Sequence, residues 1–179
     1  MARLRNAIVH DRGHPEIVAD PRDELIARLR RVRDAILKPR LLRTFGSTPV
    51  ALSADRPLRD ALALMRAKDF SQVVVELAEE FTLLSSEGIL RWLEVRAENQ
   101  GGLVAVHEGL LRQVVEHEPE GSCAWLAANQ PVADAVARFA QARPTGAARL
   151  ACVLVTEHGK RNQRPLRLIT PWDLSDLNG

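Results

Sequence analysis

The chain has 179 residues, of which 46% are hydrophobic and 27% charged, with a net charge of +2. That length suits one compact domain or two very small ones, excludes wholesale disorder, and lets folding bury roughly 70% of the unfolded surface without metal or disulfide support. Two cysteines, Cys123 and Cys152, cannot build a disulfide scaffold and fit a reducing compartment. No apolar run reaches the roughly 18 residues of a membrane span, and residues 1–5 lead into no signal-peptide core, so the expectation is a soluble cytoplasmic protein.

Charge is unevenly spread. Residues 1–45 carry 11 Lys and Arg against 6 Asp and Glu, whereas residues 46–179 carry 14 against 17. A basic arm on a mildly acidic body suits nucleic acid or an acidic docking partner. With four Phe, three Trp and no Tyr, base-stacking platforms are not expected, and the arm is short and mixed in charge, so nucleic acid is disfavoured.

Residues 1–20 show no clean period. His10, His14 and Glu16 look metal-like, but Gly13 and Pro15 break any rigid helical spacing, so no metal site is expected. From Pro21 the pattern changes. Leu25, Ile26, Leu29, Val32, Ile36 and Leu37 recur at three- and four-residue spacing, predicting an amphipathic helix over about 22–38. Asp20 is the expected N-cap, Pro21 the first helical residue, and Pro39 the stop. Its polar face is basic: Arg22, Arg28, Arg30, Arg31, Arg33 and Lys38.

From about Thr44 one unit occurs twice. Pro57, Asp60 and Ala61 map onto Pro131, Asp134 and Ala135 at a constant offset of 74. Each copy runs from an extended stretch through a turn into an Ala-rich helix. Two β-branched or apolar strands follow: Val73, Val74 and Val75, then 81–84, in the first copy; Val153, Leu154 and Val155, then 166–169, in the second. Ser85 and Thr170 then cap a final helix in each copy, and residues 157–164 form a polar loop between the strands of the second. The unit is β-α-β-β-α, too small at roughly 50 residues to bury a core alone, so the two strand sets must pack together. The fold class is α+β, with two such repeats as a pseudo-symmetric pair behind an N-terminal amphipathic helix. The expected divisions are 1–44, 45–98 and 99–179, the last including a connecting helix.

The strings Ser53-Ala-Asp-Arg-Pro-Leu-Arg-Asp-Ala-Leu-Ala-Leu-Met65 and Pro165-Leu-Arg-Leu-Ile-Thr-Pro-Trp-Asp-Leu174 resemble a tandem pair of cystathionine-β-synthase (CBS) domains, a Bateman module, over about residues 45–178. The resemblance implies ligand sensing rather than catalysis: an adenosine-containing nucleotide (AMP, ADP, ATP or another adenosyl ligand) in a cleft between the copies, no cofactor, and a homodimer. Carried onto this sequence, it implies that Thr170 takes a phosphate and Asp173 the ribose hydroxyls. A Ser or Thr at a helix N-terminus has the donors for the first role. In the first copy Ser85 survives, but Gly88 stands where the carboxylate belongs, so that site is expected to be degenerate. The resemblance further implies base contacts from residues 123–125, including Trp125, and from residues 148–152, including Ala148, Arg149 and Cys152, for the Thr170 site. Thr48, Val50 and Ser71 are the counterparts for the Ser85 site. Arg149, Arg164 or Arg167 could meet phosphate oxygens, and Arg167 stands where the family usually has Gly.

Plainer roles compete with these. Thr170 and Asp173 also suit an N-cap and a first-turn acid. Trp172 is expected to pack, and both cysteines to be small buried hydrophobes. The functional reading is a regulatory sensor that passes nucleotide occupancy to an unidentified protein partner or to its own N-terminal helix. The alternative is a ligand-free docking and dimerisation scaffold.

Overall fold

A computed structural model describes residues 22–99, 109–141 and 149–175. The chain divides into two compact units, residues 1–39 and 40–179. Asp20, Pro21, the 1–20 histidines, His107 and Ala148 lie outside the described residues.

The first unit contains α1 (Asp23–Leu37), an amphipathic helix with Asp23 and Glu24 in its first turn. Arg22 occupies the N-cap position without a side-chain hydrogen bond, and the helix ends ahead of Pro39 as the sequence predicts. Leu25, Leu29, Val32 and Ile36 are all at least half exposed.

In the second unit the elements are β1 (Ala51–Ser53), α2 (Leu58–Lys68), β2 (Gln72–Glu76), β3 (Phe81–Ser85), α3 (Ser86–Asn99), α4 (Leu111–Val114), β4 (Cys123–Ala127), α5 (Val132–Gln141), β5 (Cys152–Thr156), β6 (Arg167–Ile169) and α6 (Pro171–Ser175). Short 3-10 turns cover Leu42–Thr44 and Val115–His117. No described helix is long and apolar enough to cross a membrane. β1-β2-β3 and β4-β5-β6 are separate three-stranded sheets, each with a parallel first pair and an antiparallel second pair. The register repeats as well. Ala51 faces Val74 and Val74 faces Leu83; in the second sheet Trp125 faces Leu154 and Leu154 faces Leu168.

The uninterrupted apolar runs follow from burial on both faces. Val73 and Val75 join Leu58, Ala61 and Met65 of α2 in the first core, while Val153 and Val155 join Val132 and Ala135 of α5 in the second. The intervening residues point the other way. Val74 and Leu83 meet Cys152, Leu154 and Leu168 in a layer shared by both sheets.

Each helical core also takes in a segment from the other half of the chain. Leu42 and Phe45 belong to the second core, and Leu111 and Val114 to the first. Their backbone bonds match. Leu42 N donates to Gln130 O (2.9 Å) and Leu111 N to Arg56 O (2.9 Å); Val132 N donates to Arg40 O (2.8 Å) and Leu58 N to Gly109 O (2.7 Å). Leu41-Leu42-Arg43 and Leu110-Leu111-Arg112 are thus a further repeated element, at an offset of 69 rather than 74. Gly46 lets the first of these segments cross β6. Its φ is +83°, and a Cβ there would lie 2.5 Å from Leu168 O. Because Leu42 and Leu111 are fully buried, L42A and L111A should each lower stability by about 2–5 kcal/mol in urea unfolding. A loss below 1 kcal/mol in either would contradict this exchange of segments.

Candidate functional site

The two sheets differ at one end. The β1–β2 ladder starts only at Ala51 and Val74. In the second repeat the ladder begins two rungs earlier, at Cys123 and Cys152, and Ser122 O accepts from Ala151 N (2.6 Å) and Cys152 N (3.3 Å). The lead-ins to β1 and β2 therefore splay apart, whereas those to β4 and β5 are joined.

A cavity of about 630 Å³ opens at the splayed end. Its walls are residues 47–50, residues 69–74, Ser86, Leu168 and the start of α6 with Thr170, Trp172 and Asp173. The β1 lead-in reaches α6 because it is stitched to β6: Ser47 N donates to Leu168 O (3.0 Å) and Leu168 N to Ser47 O (2.8 Å). Arg167 secures the same segment by donating to Arg43 O (3.1 Å) and to the Thr48 hydroxyl.

Thr170 N and Oγ1 both donate to Asp173 Oδ2, each at 2.7 Å. The two bonds, both donated by Thr170, fix the pair of side chains at the cavity wall. Asp173 Oδ1 accepts no hydrogen bond among the described residues. Asp69 ends α2 in the left-handed region (φ 55°), a conformation Asp tolerates, and turns Phe70 and Ser71 into the wall. Among the described residues no Lys or Arg lines the cavity, while Asp69 and Asp173 both do.

The structure thus gathers Thr48, Val50, Ser71, Thr170 and Asp173 around one space. This corrects the expected pairing: Thr170 and Asp173 face the lead-ins of the first repeat, not residues 123–125 and 149–152. The strand stitching between Ser47 and Leu168 is the reason. Trp125 and Cys152 sit in or against the inter-sheet layer, Arg149 and Arg164 are exposed and do not line the cavity, and Arg167 is held against Thr48. Ser85 is buried under α3 and bonded to Glu118. Trp172, expected to pack, is 84% exposed at the cavity rim. Ser47, Asp69, Phe70 and Ser86 also line the cavity. Phe70 was detectable as an aromatic just after a predicted helix; Asp69 and Ser47 carried no signal.

A larger, more open cavity of about 1120 Å³ lies at the opposite end of β1 and β2. It holds none of the sequence-predicted residues. Asp55, Glu76, Glu79 and Glu80 make it acidic, and its Arg112 is paired with Asp55.

No family model and no curated protein matches the sequence. Solved structures do match the fold. A protein assigned to acetoin utilization (AcuB) from Vibrio cholerae aligns with TM-score 0.55 and 17% identity, over 78% of this chain and 90% of that one. A CBS domain-containing protein from Kribbella flavida gives 0.55 and 14%, over 78% and 97%. CBSX2, in complex with AMP, gives 0.54 and 10%, over 77% and 95%.

The cysteines bear on one expectation directly. Both are free, with sulfurs 3.8 Å apart; Cys152 is fully buried and Cys123 partly so. The Cys123 hydrogen bond, burial and nearby negative charge hold the Cys152 thiol well above the ordinary range. Iodoacetamide at pH 8 should label Cys123 ahead of Cys152 in the folded protein, with Cys152 reacting only on unfolding. Equal labelling of both in the native state would contradict the buried placement.

Proposed function

We propose that this chain, which has the fold of a tandem CBS-domain pair, is a regulatory module that binds an adenosine-containing nucleotide in the cavity between its repeats. The observation that carries this reading is the cavity's composition. It brings together the hydroxyls of Thr48, Ser71 and Thr170, a capped carboxylate with one unused oxygen, and two aromatic side chains, Phe70 and Trp172, that are 42% and 84% exposed. Its volume lies in the usual range for a small-molecule site.

Asp173 Oδ1 is the acceptor for ribose hydroxyls, and the Thr170 end of α6 meets the phosphate. Phe70 or Trp172 offers a face on which an adenine can stack, worth about 1–3 kcal/mol. The complex with AMP of the similarly folded CBSX2 supports the same ligand class. Among the described residues the lining holds two carboxylates and no cation, with Arg167 engaged behind Thr48, so each additional phosphate adds repulsion and the site favours a monophosphate over a triphosphate.

Arg167 ties the cavity to the segment that crosses into the second core, through Thr48 and Arg43 O. A ligand that displaces or tightens this contact changes how residues 40–48 are held, and a partner that reads that segment receives the signal. Only a ligand preferring one of the two arrangements acts as a switch. Exposed Leu90 and Val95 on α3 and Val136 on α5 give a second copy of the chain an apolar surface to cover in a homodimer.

Thermal unfolding with AMP, ADP, ATP and S-adenosylmethionine tests the ligand class. A ligand at about 100 times its Kd adds about 2.7 kcal/mol, which raises Tm by roughly 5–11 °C at this size. AMP should produce the shift, ATP a smaller one, and D173A none. No shift with any adenosyl ligand overturns nucleotide sensing and leaves the docking scaffold.

A further inference from the structure

The Ser85 end of the molecule repeats the Thr170 cap with one substitution of parts. Ser85 N and Oγ donate to Glu118 Oε2 at 2.8 and 2.9 Å, the same two bonds that Thr170 makes to Asp173 Oδ2. Gly88 N in turn donates to Ser85 Oγ (3.2 Å), so Ser85 is a true N-cap of α3. Gly88 occupies the position that corresponds to Asp173, and a Cβ there would lie 2.3 Å from Glu118 Oε2. The carboxylate that the first repeat lacks at position 88 is therefore present, delivered from another segment.

That segment is an insertion. The repeat offset is 69 at Leu110-Leu111-Arg112 and 74 at β4 and α5, so the second copy has five extra residues between Arg112 and β4. Glu118 lies in this longer lead-in, which ends at Ser122. The resulting position differs from its counterpart in three ways. Glu118 Oε1, which corresponds to the unused Oδ1 of Asp173, is buried and accepts no hydrogen bond among the described residues. The strand lead-ins beside it are joined through Ser122 O. The Glu118 charge also reaches Cys152, the counterpart of Gln72 in the open cavity, and contributes to raising that thiol.

We propose that Glu118 takes over the capping role of Asp173 at α3 and closes the pseudo-symmetric position to ligand, so that each chain takes one nucleotide, at the Thr170 end alone. This rests on the nucleotide reading of the open cavity. Asp173 sets the same two bonds on Thr170, so the cap alone does not close a position. Closure comes from the burial of Glu118 Oε1, which leaves no exposed acceptor for a ribose, and from lead-ins joined through Ser122 O, which leave no gap for a base. Gly88 is needed because only a residue without a side chain leaves room for the incoming Glu118.

Two readouts test this. Unfolding of G88A, E118A and the double variant reads the arrangement without ligand. G88A lowers Tm by roughly 3–10 °C in the wild-type background and by a fraction of that in E118A. An equal cost in both backgrounds overturns the proposal. Should G88A fail to fold while G88A/E118A folds, the same conclusion follows as from rescue. Calorimetric titration with AMP reads the closure: one AMP per wild-type chain and none in D173A. Two per wild-type chain, or one retained by D173A, overturns it. If the wild type binds no AMP, the nucleotide reading of the open cavity fails, and the Tm comparison still decides whether Glu118 fills the closed position.

Discussion

The layer shared by the two sheets is the contact on which the rest of the molecule depends. A three-stranded sheet with a few helices on one face leaves its other face uncovered, and neither repeat has enough chain to cover both. Val74 and Leu83 on one side and Cys152, Leu154 and Leu168 on the other close that face. Once the sheets lie together, the lead-in to β1 runs beside β6, and Ser47 pairs with Leu168. The cavity, its mixed parentage from both repeats and the placement of Thr170 opposite Thr48 all follow from that pairing.

Much of this was legible in the sequence. Three-residue apolar runs at Val73 and Val153 marked strands buried on both faces, and the Pro, Asp and Ala at a constant offset located the helices. Ser85 and Thr170 stood where caps were needed. What was not legible depended on non-local contacts. The Leu-Leu-Arg element is short and recurs at a different offset, so it does not register with the main repeat. The pairing of the Thr170 end with the first repeat's lead-ins is set by hydrogen bonds between Ser47 and Leu168, residues 121 apart in sequence. Trp172 looked like a packing residue because large aromatics usually are; it is on the rim because position 172 is in the first turn of α6, on the side that faces the cavity.

Pseudo-symmetry built from two unequal copies explains how one end can be open and the other closed. At the open end the β1–β2 ladder stops at Ala51 and Val74. At the other end the ladder runs two rungs further, and a five-residue longer lead-in carries a carboxylate onto Ser85. Both ends use the same cap of a hydroxyl and a backbone N–H on one carboxylate oxygen. They differ in whether the second oxygen is open or buried. A duplicated fold thus keeps its packing where both copies are needed and lets its sites diverge where only one is.

An adenine nucleotide bound in the open cavity would lie against Asp173 and Trp172. Trp172 is 84% exposed while Trp92 is buried and Trp125 packs against the inter-sheet layer, so emission from the rim indole reports occupancy directly. Titrating the intact protein with AMP should give a saturable change in tryptophan emission that is absent in W172F and in D173A. Emission unchanged by AMP up to millimolar concentration, or a change that persists in D173A, would mean that no nucleotide is held at this cavity by Asp173.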